Sequence, residues 1–154
     1  SELMAANVPF KELVGKEVSL QLELEGRGSF VAGLLGGAAV GVGAGVREIN
    51  GLVTAARFVQ MEERRGLYEI VVEPWLTLAT RSSDYRIFQN QDVGEIVQAV
   101  LADYPYPSVL RLTHRYPKRE FQVQYGETDL VFIERLMQEW GLYYYFEHQG
   151  GAHR

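Results

Sequence analysis

The stretch from residue 128 to residue 147 constrains the fold more than any other, because a helical pattern runs directly into a strand pattern. Its first part carries apolar side chains at the spacing of an amphipathic helix: Leu130, Ile133, Leu136, Met137 and Trp140. Thr128 is a favoured N-cap residue, and Gly141 suits the left-handed conformation that ends a helix. Residues 142–147 are almost all β-formers and predict a strand. Successive strand side chains point to opposite faces, so the aromatics within it cannot form one stacking platform for bases or sugars.

A second helix is predicted upstream of this stretch. Asp92 and Glu95 stand at the N-cap and N3 spacing of a capping box. Apolar residues then recur at helical spacing: Val93, Ile96, Val97, Val100 and Leu101. Pro105 stops the helix from continuing. Residues 121–125 alternate between apolar and polar and predict a strand, which Gly126 is expected to end.

The first half of the chain shows the period-two pattern of strands. Residues 16–25 alternate between apolar and polar side chains, and residues 49–61 and 67–72 give two further strand patterns joined by a short polar connection, which indicates a hairpin. Pro74 ends the last strand, and residues 75–79 are a candidate for a short continuation. The fold class is therefore α+β and mainly β: an all-β first half is followed by a mixed segment with two helices.

Composition excludes several classes of function. The 154 residues are 47% hydrophobic and 23% charged, the balance of a protein that forms a core. A net charge of −5 repels the phosphate backbone and disfavours general nucleic-acid binding. The chain has no cysteine, which excludes disulfides and thiolate metal sites. Its apolar runs are too short for a membrane span of about 20 residues, so stable membrane insertion is not expected.

Two local segments are candidates for a binding function. Residues 33–45 are rich in glycine, but neither a P-loop nor a dinucleotide fingerprint is present, since no lysine follows and the next element is a predicted strand. A loop is the favoured interpretation. Basic residues concentrate between residues 111 and 119, and Tyr116 lies among them, as in some nucleic-acid sites. A solvated turn is favoured there, because the rest of the chain is acidic.

Metal and catalytic sites are not predicted. The histidines are few and scattered: His114, His148 and His153. None has the spacing of a zinc site. Two pairs of acidic residues are candidates for general acid and base catalysis on a glycan: Glu62 with Glu63, and Glu134 with Glu139. The first pair lies in a charged turn and the second on the polar side of a helix, so solvation is the favoured interpretation of both.

Residues 86–101 and 116–148 also carry a family resemblance. The matching residues follow one another in a fixed order: Phe88, Gln89, Asn90, Arg119, Glu120, Phe121, Gln124, Tyr125, Thr128, Asp129, Phe132, Gly141, Tyr144, Tyr145, Phe146, Glu147 and His148. In this series the chain resembles the N-terminal hub region of the VgrG family, the type VI secretion spike proteins, which are similar in turn to the trimeric tail-hub proteins of contractile phages. The resemblance runs from about residue 13 to residue 148. It departs from the family in the glycine-rich loop at residues 36–45, and at Gly94, where family members often have proline.

The resemblance implies a phage tail-hub-like fold in a piece of a longer protein. Residues 1–82 are expected to be an incomplete, antiparallel β-barrel-like hub segment, and residues 83–154 an α+β hub segment with two capped helices. The matching residues would have structural roles, with no catalytic, cofactor-binding or metal-binding residue and no cofactor. No enzymatic activity is expected of this region.

The resemblance also implies partners and a location. Family members form homotrimers that cap the Hcp tube and transmit thrust for effector delivery, while a PAAR-type tip protein and the effectors bind through regions absent here. They are assembled in the bacterial cytoplasm and then secreted to the extracellular space or a target cell. A baseplate hub of a contractile phage is the alternative, and a glycan-cleaving or nucleic-acid-binding module is a distant one.

Overall fold

The computed structural model describes residues 10–24, 45–62 and 65–154. The predicted glycine-rich loop and the turn of the first-half hairpin lie outside these residues. The described chain forms two compact units, the first reaching Val72 and including residues 148–153, and the second covering residues 73–147 with Arg154. The predicted segment boundary between residues 82 and 83 falls later than the division between the units, and stays a prediction about domains.

The first unit is built on a three-stranded sheet. Its elements are α1 (Phe10–Leu13), β1 (Glu17–Leu24), β2 (Gly45–Glu62) and β3 (Arg65–Glu73), and the strand order is β1-β2-β3. The strands β1 and β2 pair antiparallel, from Glu17 opposite Leu52 to Leu24 opposite Gly45. The three predicted strands are therefore confirmed. In the described residues β1 and β3 are edge strands, so the sheet does not close into a barrel.

A short hairpin completes the first unit. It consists of β6 (His148–Gln149) and β7 (Ala152–His153), which pair antiparallel. Gly150 and Gly151 connect them, with φ of 64° and 80°. Two positive φ angles are required by the type I′ turn, whose twist matches that of paired strands, and glycine adopts them without strain.

The second unit packs two helices against a two-stranded antiparallel sheet. Its elements are a 3₁₀ helix (Trp75–Thr80), β4 (Ser83–Gln91), α2 (Val93–Leu101), β5 (Arg119–Thr128) and α3 (Asp129–Trp140). The core lies between α2 and α3 and is formed by Val93, Ile96, Val97, Val100, Phe132, Ile133 and Leu136. Burial of a large apolar side chain contributes about 1.5–3 kcal/mol. This cluster therefore provides the main attraction between the two helices.

The outer face of the β4–β5 pair is apolar and exposed. Its large side chains occupy facing positions of the ladder: Tyr85 opposite Tyr125, and Ile87 opposite Val123. The opposite face points Phe88, Gln122 and Gln124 inward. The alternation of β4 is present in the sequence, yet this strand was not predicted.

Three predicted details are wrong. Residues 75–79 do not continue a strand but belong to the 3₁₀ helix, which buries neighbouring side chains instead of alternate ones. Gly126 does not end β5; with φ of 66° it lies in a β-bulge, where the register with β4 shifts. Residues 142–147 do not form a strand in the described chain: Glu147, at the end of this range, exchanges backbone hydrogen bonds with Arg154, but no continuous ladder follows along the range, because β-forming side chains do not by themselves supply a partner strand.

The predicted helix ends are confirmed. Asp92 Oδ1 accepts from the Glu95 amide at 3.0 Å, and Glu95 Oε2 accepts from the Asp92 amide at 3.0 Å, so the capping box is complete. Thr128 Oγ1 accepts from the Val131 amide at 3.3 Å, and Gly141 ends α3 with φ of 67°. Both helices therefore begin where local side-chain chemistry places them.

The cap of α2 gives a direct test. Asp92→Ala removes the acceptor of the Glu95 amide and is expected to lower the free energy of unfolding by about 1 kcal/mol. Asp92→Asn keeps an oxygen at the same place and is expected to retain most of that stability. Urea unfolding followed by circular dichroism measures both variants, and equal losses in the two would contradict a role for the cap hydrogen bond.

Candidate functional site

The most distinctive site in the second unit is a buried carboxylate. Asp129 is the first residue of α3 and is only 1% exposed. Its Oδ2 accepts from the Tyr104 hydroxyl at 2.6 Å, and its Oδ1 accepts from Gln124 Nε2 at 2.7 Å and from Arg86 Nη2 at 3.3 Å. Its position at the helix N-terminus also favours negative charge. The carboxylate is thus compensated by a cation, by neutral donors and by the helix itself.

Arg86 contacts three carboxylates, one on its own strand and two on other parts of the unit. From β4, its Nε donates to Asp84 at 2.7 Å and its Nη1 donates to Asp103, just beyond α2, at 2.7 Å. Its third nitrogen reaches Asp129 at the start of α3. A planar guanidinium fixes the directions of all these bonds. One side chain therefore sets the positions of β4, the end of α2 and the start of α3.

Tyr104 is held on its other side by aromatic contacts. Its ring lies 6.0 Å from that of Trp75, which in turn stacks on Tyr106 at 5.3 Å. Burial, together with the hydrogen bond to Asp129, raises the pKa of Tyr104. The hydroxyl therefore stays protonated and continues to donate over a wide pH range. With Asp129 and Gln124 fully buried and each oxygen of the carboxylate hydrogen-bonded, the Asp129 network is suited to holding elements in place.

A second group of motif residues joins strands to α3 through aromatic rings. Phe88 of β4 stacks on Phe132 of α3 with centroids 5.6 Å apart. The Arg119 guanidinium lies 5.0 Å from the ring centre of Trp140 and also pairs with Glu139. Cation–π contacts of this kind contribute about 0.5–1 kcal/mol at exposed sites. Both ends of α3 are thereby attached to the sheet.

The remaining motif residues are dispersed. Gln89 and Glu120 are exposed, and Asn90 adopts a positive φ of 52° just before α2. Tyr125 packs edge-on against Tyr85 at 5.1 Å on the outer face of β4–β5. The structure thus brings Gln124 and Asp129 into one network and leaves the others at separate contacts.

The Tyr-rich segment, residues 142–147, places its rings on two sides as expected. Tyr143 lies 6.4 Å from Tyr145, and Tyr144 lies 5.8 Å from Phe146. The Tyr144 hydroxyl donates to Glu134 of α3 at 3.1 Å, and burial, with that bond, raises the pKa of Tyr144. Helix α3 therefore covers one side. Tyr143 and Tyr145 are 85% and 57% exposed, so the described residues leave the other side uncovered.

Several of the acidic and basic candidates from the sequence are engaged by other side chains. Glu134 and Glu139 are occupied by Tyr144 and Arg119, whereas the side chains of Glu62 and Glu63 lie outside the described residues. In the basic segment, Arg111 pairs with Glu147 at 3.4 Å and Lys118 with Glu95 at 3.2 Å. Exposed pairs of this kind add little stability, yet they reduce the positive field available to a phosphate. This pairing favours the solvated-turn interpretation.

His148, the last motif residue, belongs to the first unit. Its Nδ1 accepts from the Asn50 amide at 3.0 Å, and its ring lies 6.0 Å from that of His153, which is 3% exposed. Asn50 Nδ2 donates to Glu48 and to the Ala152 carbonyl, both at 2.8 Å. The hairpin β6–β7 is thus attached to β2 by polar bonds. Burial, and then the charge of His148, lower the pKa of His153, while Glu17 opposes this shift.

The described ranges contain neither a cluster of metal-binding side chains nor a helix that could span a membrane. Among residues 10–24, 45–62 and 65–154, His, Asp and Glu side chains nowhere come together in a group of three that could hold a metal ion. Within the same ranges, every helix is too short or too polar to cross a bilayer.

Sequence reasoning missed the two central members of the Asp129 network. Arg86 begins the stretch that carries the family resemblance but is not one of the matching residues, and Tyr104 lies in a proline-rich connection without a recognisable pattern. Arg86 and Tyr104 are 43 and 25 residues from Asp129 in sequence. The feature of the sequence that could have indicated this network is Asp129, the acidic residue directly after the Thr128 cap.

Comparison with known proteins gives consistent matches. A model of the phage tail baseplate hub (GPD) family matches residues 2–154. The type VI secretion system spike protein VgrG1c of Pseudomonas aeruginosa is 36% identical, over 99% of this chain and 19% of that protein. Spike protein VgrG3 of Vibrio cholerae is 35% identical, over 70% of this chain and 11% of that protein. The chain therefore spans about a fifth or less of these relatives.

One solved structure is similar as well. It is the Escherichia coli c3393 protein, a type VI secretion component with structural similarity to the T4 bacteriophage tail proteins gp27 and gp5. The TM-score is 0.63 at 34% identity, covering 67% of this chain and 30% of that one.

The Asp129 network predicts a large difference between two acidic residues. Asp129→Ala is expected to destabilise the second unit by roughly 3 kcal/mol, because it leaves Arg86 and Tyr104 without their buried partner. Asp103→Ala is the matched control: it removes another carboxylate from the same arginine, but one that is 57% exposed, and a much smaller loss is expected. Thermal unfolding measures both, and similar losses would contradict a special role for the buried carboxylate.

The histidine pair predicts acid sensitivity of the hairpin. Because the pKa of His153 is lowered in the folded state, the unfolded chain binds more protons, so this contribution to stability is lost as the pH falls below about 6.5. Amide exchange of residues 148–153 should accelerate over that range, while NMR shows His153 titrating below its ordinary pKa. His153→Gln, which cannot titrate, should flatten the dependence. Titration of His153 above pH 6.5 would refute this assignment.

Proposed function

The chain belongs to the phage tail baseplate hub (GPD) family, and from that premise we propose that it is a structural segment of the hub of a type VI secretion spike. The observation that carries the proposal is the 36% identity to spike proteins over nearly the whole chain. We propose that the longer protein forms a homotrimer, caps the Hcp tube and transmits thrust, and that effectors and a PAAR-type tip protein bind through other regions. It would be assembled in the cytoplasm and then secreted.

The contacts of the second unit support a mechanical role. A part that transmits thrust needs elements that keep their relative positions under load. Arg86 and Asp129 connect β4 to α3 through directional bonds, and Phe88 connects the same elements by stacking on Phe132. We propose that the motif residues serve this purpose, including the exposed Gln89 and Glu120. Their contribution would be positional, with no reacting group among them.

The open edges of the sheet in the first unit support a further part of the proposal. The edge strands β1 and β3 leave the sheet open in the described residues. Open edges are sites for further strand pairing. We propose that residues 1–82 contribute to a β-barrel-like segment in the assembled hub, and that residues 83–154 form the accompanying α+β segment.

A baseplate hub of a contractile phage or phage-like particle is the second candidate. It is favoured by the family match and by the likeness of the solved relative to the T4 proteins gp27 and gp5. The longer protein distinguishes the two: a β-helix of short Val-Gly-rich repeats downstream supports the spike, and a lysozyme-like insertion supports the phage hub.

Hcp release from bacteria tests the proposed function. A strain that lacks the full-length protein is expected to lose Hcp from the medium, and the wild-type protein is expected to restore it. A protein with both Glu134→Gln and Glu139→Gln keeps hydrogen-bond acceptors for Tyr144 and Arg119 and should restore release fully. Loss of release in this variant, with trimer mass unchanged by light scattering, would favour acid–base catalysis instead. Normal Hcp release without the protein would refute the spike role.

A further inference from the structure

The Tyr-rich segment carries unused backbone groups. Throughout the described part of the chain, the amides and carbonyls of Tyr143, Tyr144 and Tyr145 take part in no hydrogen bond, although the Leu142 amide before them donates to Met137 at 2.8 Å. A row of unpaired amides and carbonyls along an extended segment is a template for strand pairing.

Side chains already hold this segment in a strand-like conformation. The ring pairs Tyr143 with Tyr145 and Tyr144 with Phe146 repeat every second residue, which is the period of a strand. Tyr144 is attached to α3 through Glu134, and the Tyr145 hydroxyl accepts from Arg111 Nη1 at 3.2 Å. An incoming strand would therefore meet a segment that is already ordered, which lowers the entropic cost of pairing.

The direction and register of a partner strand are also set. Glu147 and Arg154 exchange both backbone hydrogen bonds, at 3.0 and 3.1 Å, and so form a hydrogen-bonded antiparallel pair. In an antiparallel ladder such pairs recur at every second residue. Continued from Glu147, this pattern turns the backbone groups of Tyr145 and then of Tyr143 toward a chain that leaves Arg154.

We propose that the Tyr-rich segment is completed by an antiparallel strand that runs on from Arg154. The second and fourth residues after Arg154 would exchange hydrogen bonds with Tyr145 and Tyr143. A groove of about 570 Å³ borders both Arg154 and the Tyr-rich segment, and its walls include Leu110, Leu112, Ile133 and Met137. Apolar side chains at alternate positions of the strand would gain burial there.

The following segment of the same polypeptide is the occupant that fits best. The relatives that this chain matches are far longer, since the chain spans 19% of VgrG1c. A strand joined directly to Arg154 also has a high effective concentration at this edge and arrives in the required direction. The pairing depends on the backbone geometry and side-chain contacts of the Tyr-rich segment and not on a spike role, so it and the proposed spike function can fail independently.

Amide exchange in three chains tests the proposal. The first is the 154-residue chain, the second is lengthened past Arg154 by about eight alternating Thr and Val residues, a typical strand length, and the third carries proline at the second and fourth added positions. The Thr–Val extension is expected to slow exchange at Tyr143 and Tyr145 by about tenfold or more. The proline control should not, because proline lacks the amide donor and disrupts the ladder. In the full-length protein the same amides are expected to be slow.

The amides of Ile133 and Leu136 report whether α3 is folded equally in all three chains. Unchanged exchange at Tyr143 and Tyr145 in the Thr–Val chain would overturn the proposal, and so would equal slowing in the proline control. Protection that is already present in the unextended chain and grows with protein concentration would identify a second copy as the occupant, and would also overturn it.

Discussion

The second unit depends on the placement of one negative charge where water cannot reach it. A carboxylate as buried as Asp129 is costly unless cations and donors surround it, and the compensation comes from Arg86, Tyr104 and Gln124. These residues lie on a strand, a connection and a second strand, so satisfying the charge also determines how those parts meet. The apolar cluster between α2 and α3 supplies most of the attraction, but apolar contacts alone permit several arrangements. The network selects one of them.

This arrangement gives many polar residues of the second unit a structural role, although the sequence shows few recognisable catalytic features. The polar groups that looked available in the sequence are engaged with one another: Glu134 with Tyr144, and Glu139 with Arg119. Such pairings fix the positions of the paired side chains and leave their carboxylates less free to act as an acid or a base. For a family of spike and hub proteins, whose task we propose to be mechanical, a defined relative placement of elements is the property that the sequence has to maintain.

Local chemistry was predictable from the sequence, and non-local pairing was not. The capping box at Asp92 and the C-cap at Gly141 involve neighbouring residues, so their patterns are complete within a few positions. The strand expected at residues 142–147 failed because its partner is not determined by its own composition. The prediction that Gly126 ends the strand is wrong for a related reason: a glycine with positive φ can end a strand or form a bulge, and the register with β4 decides between the two. The Arg86–Asp129 pair, distant in sequence, had no local signal.

The outer face of the β4–β5 pair affects how readily molecules of this chain associate in solution. Tyr85, Ile87 and Tyr125 are each more than half exposed there, so contact between two such faces would remove apolar surface from water. The net charge of −5 opposes close approach, but its range shrinks to about 8 Å at physiological ionic strength. Added salt should therefore favour clustering of the molecules more than unfolding, and dilute, low-salt buffers are the natural conditions in which to keep them dispersed.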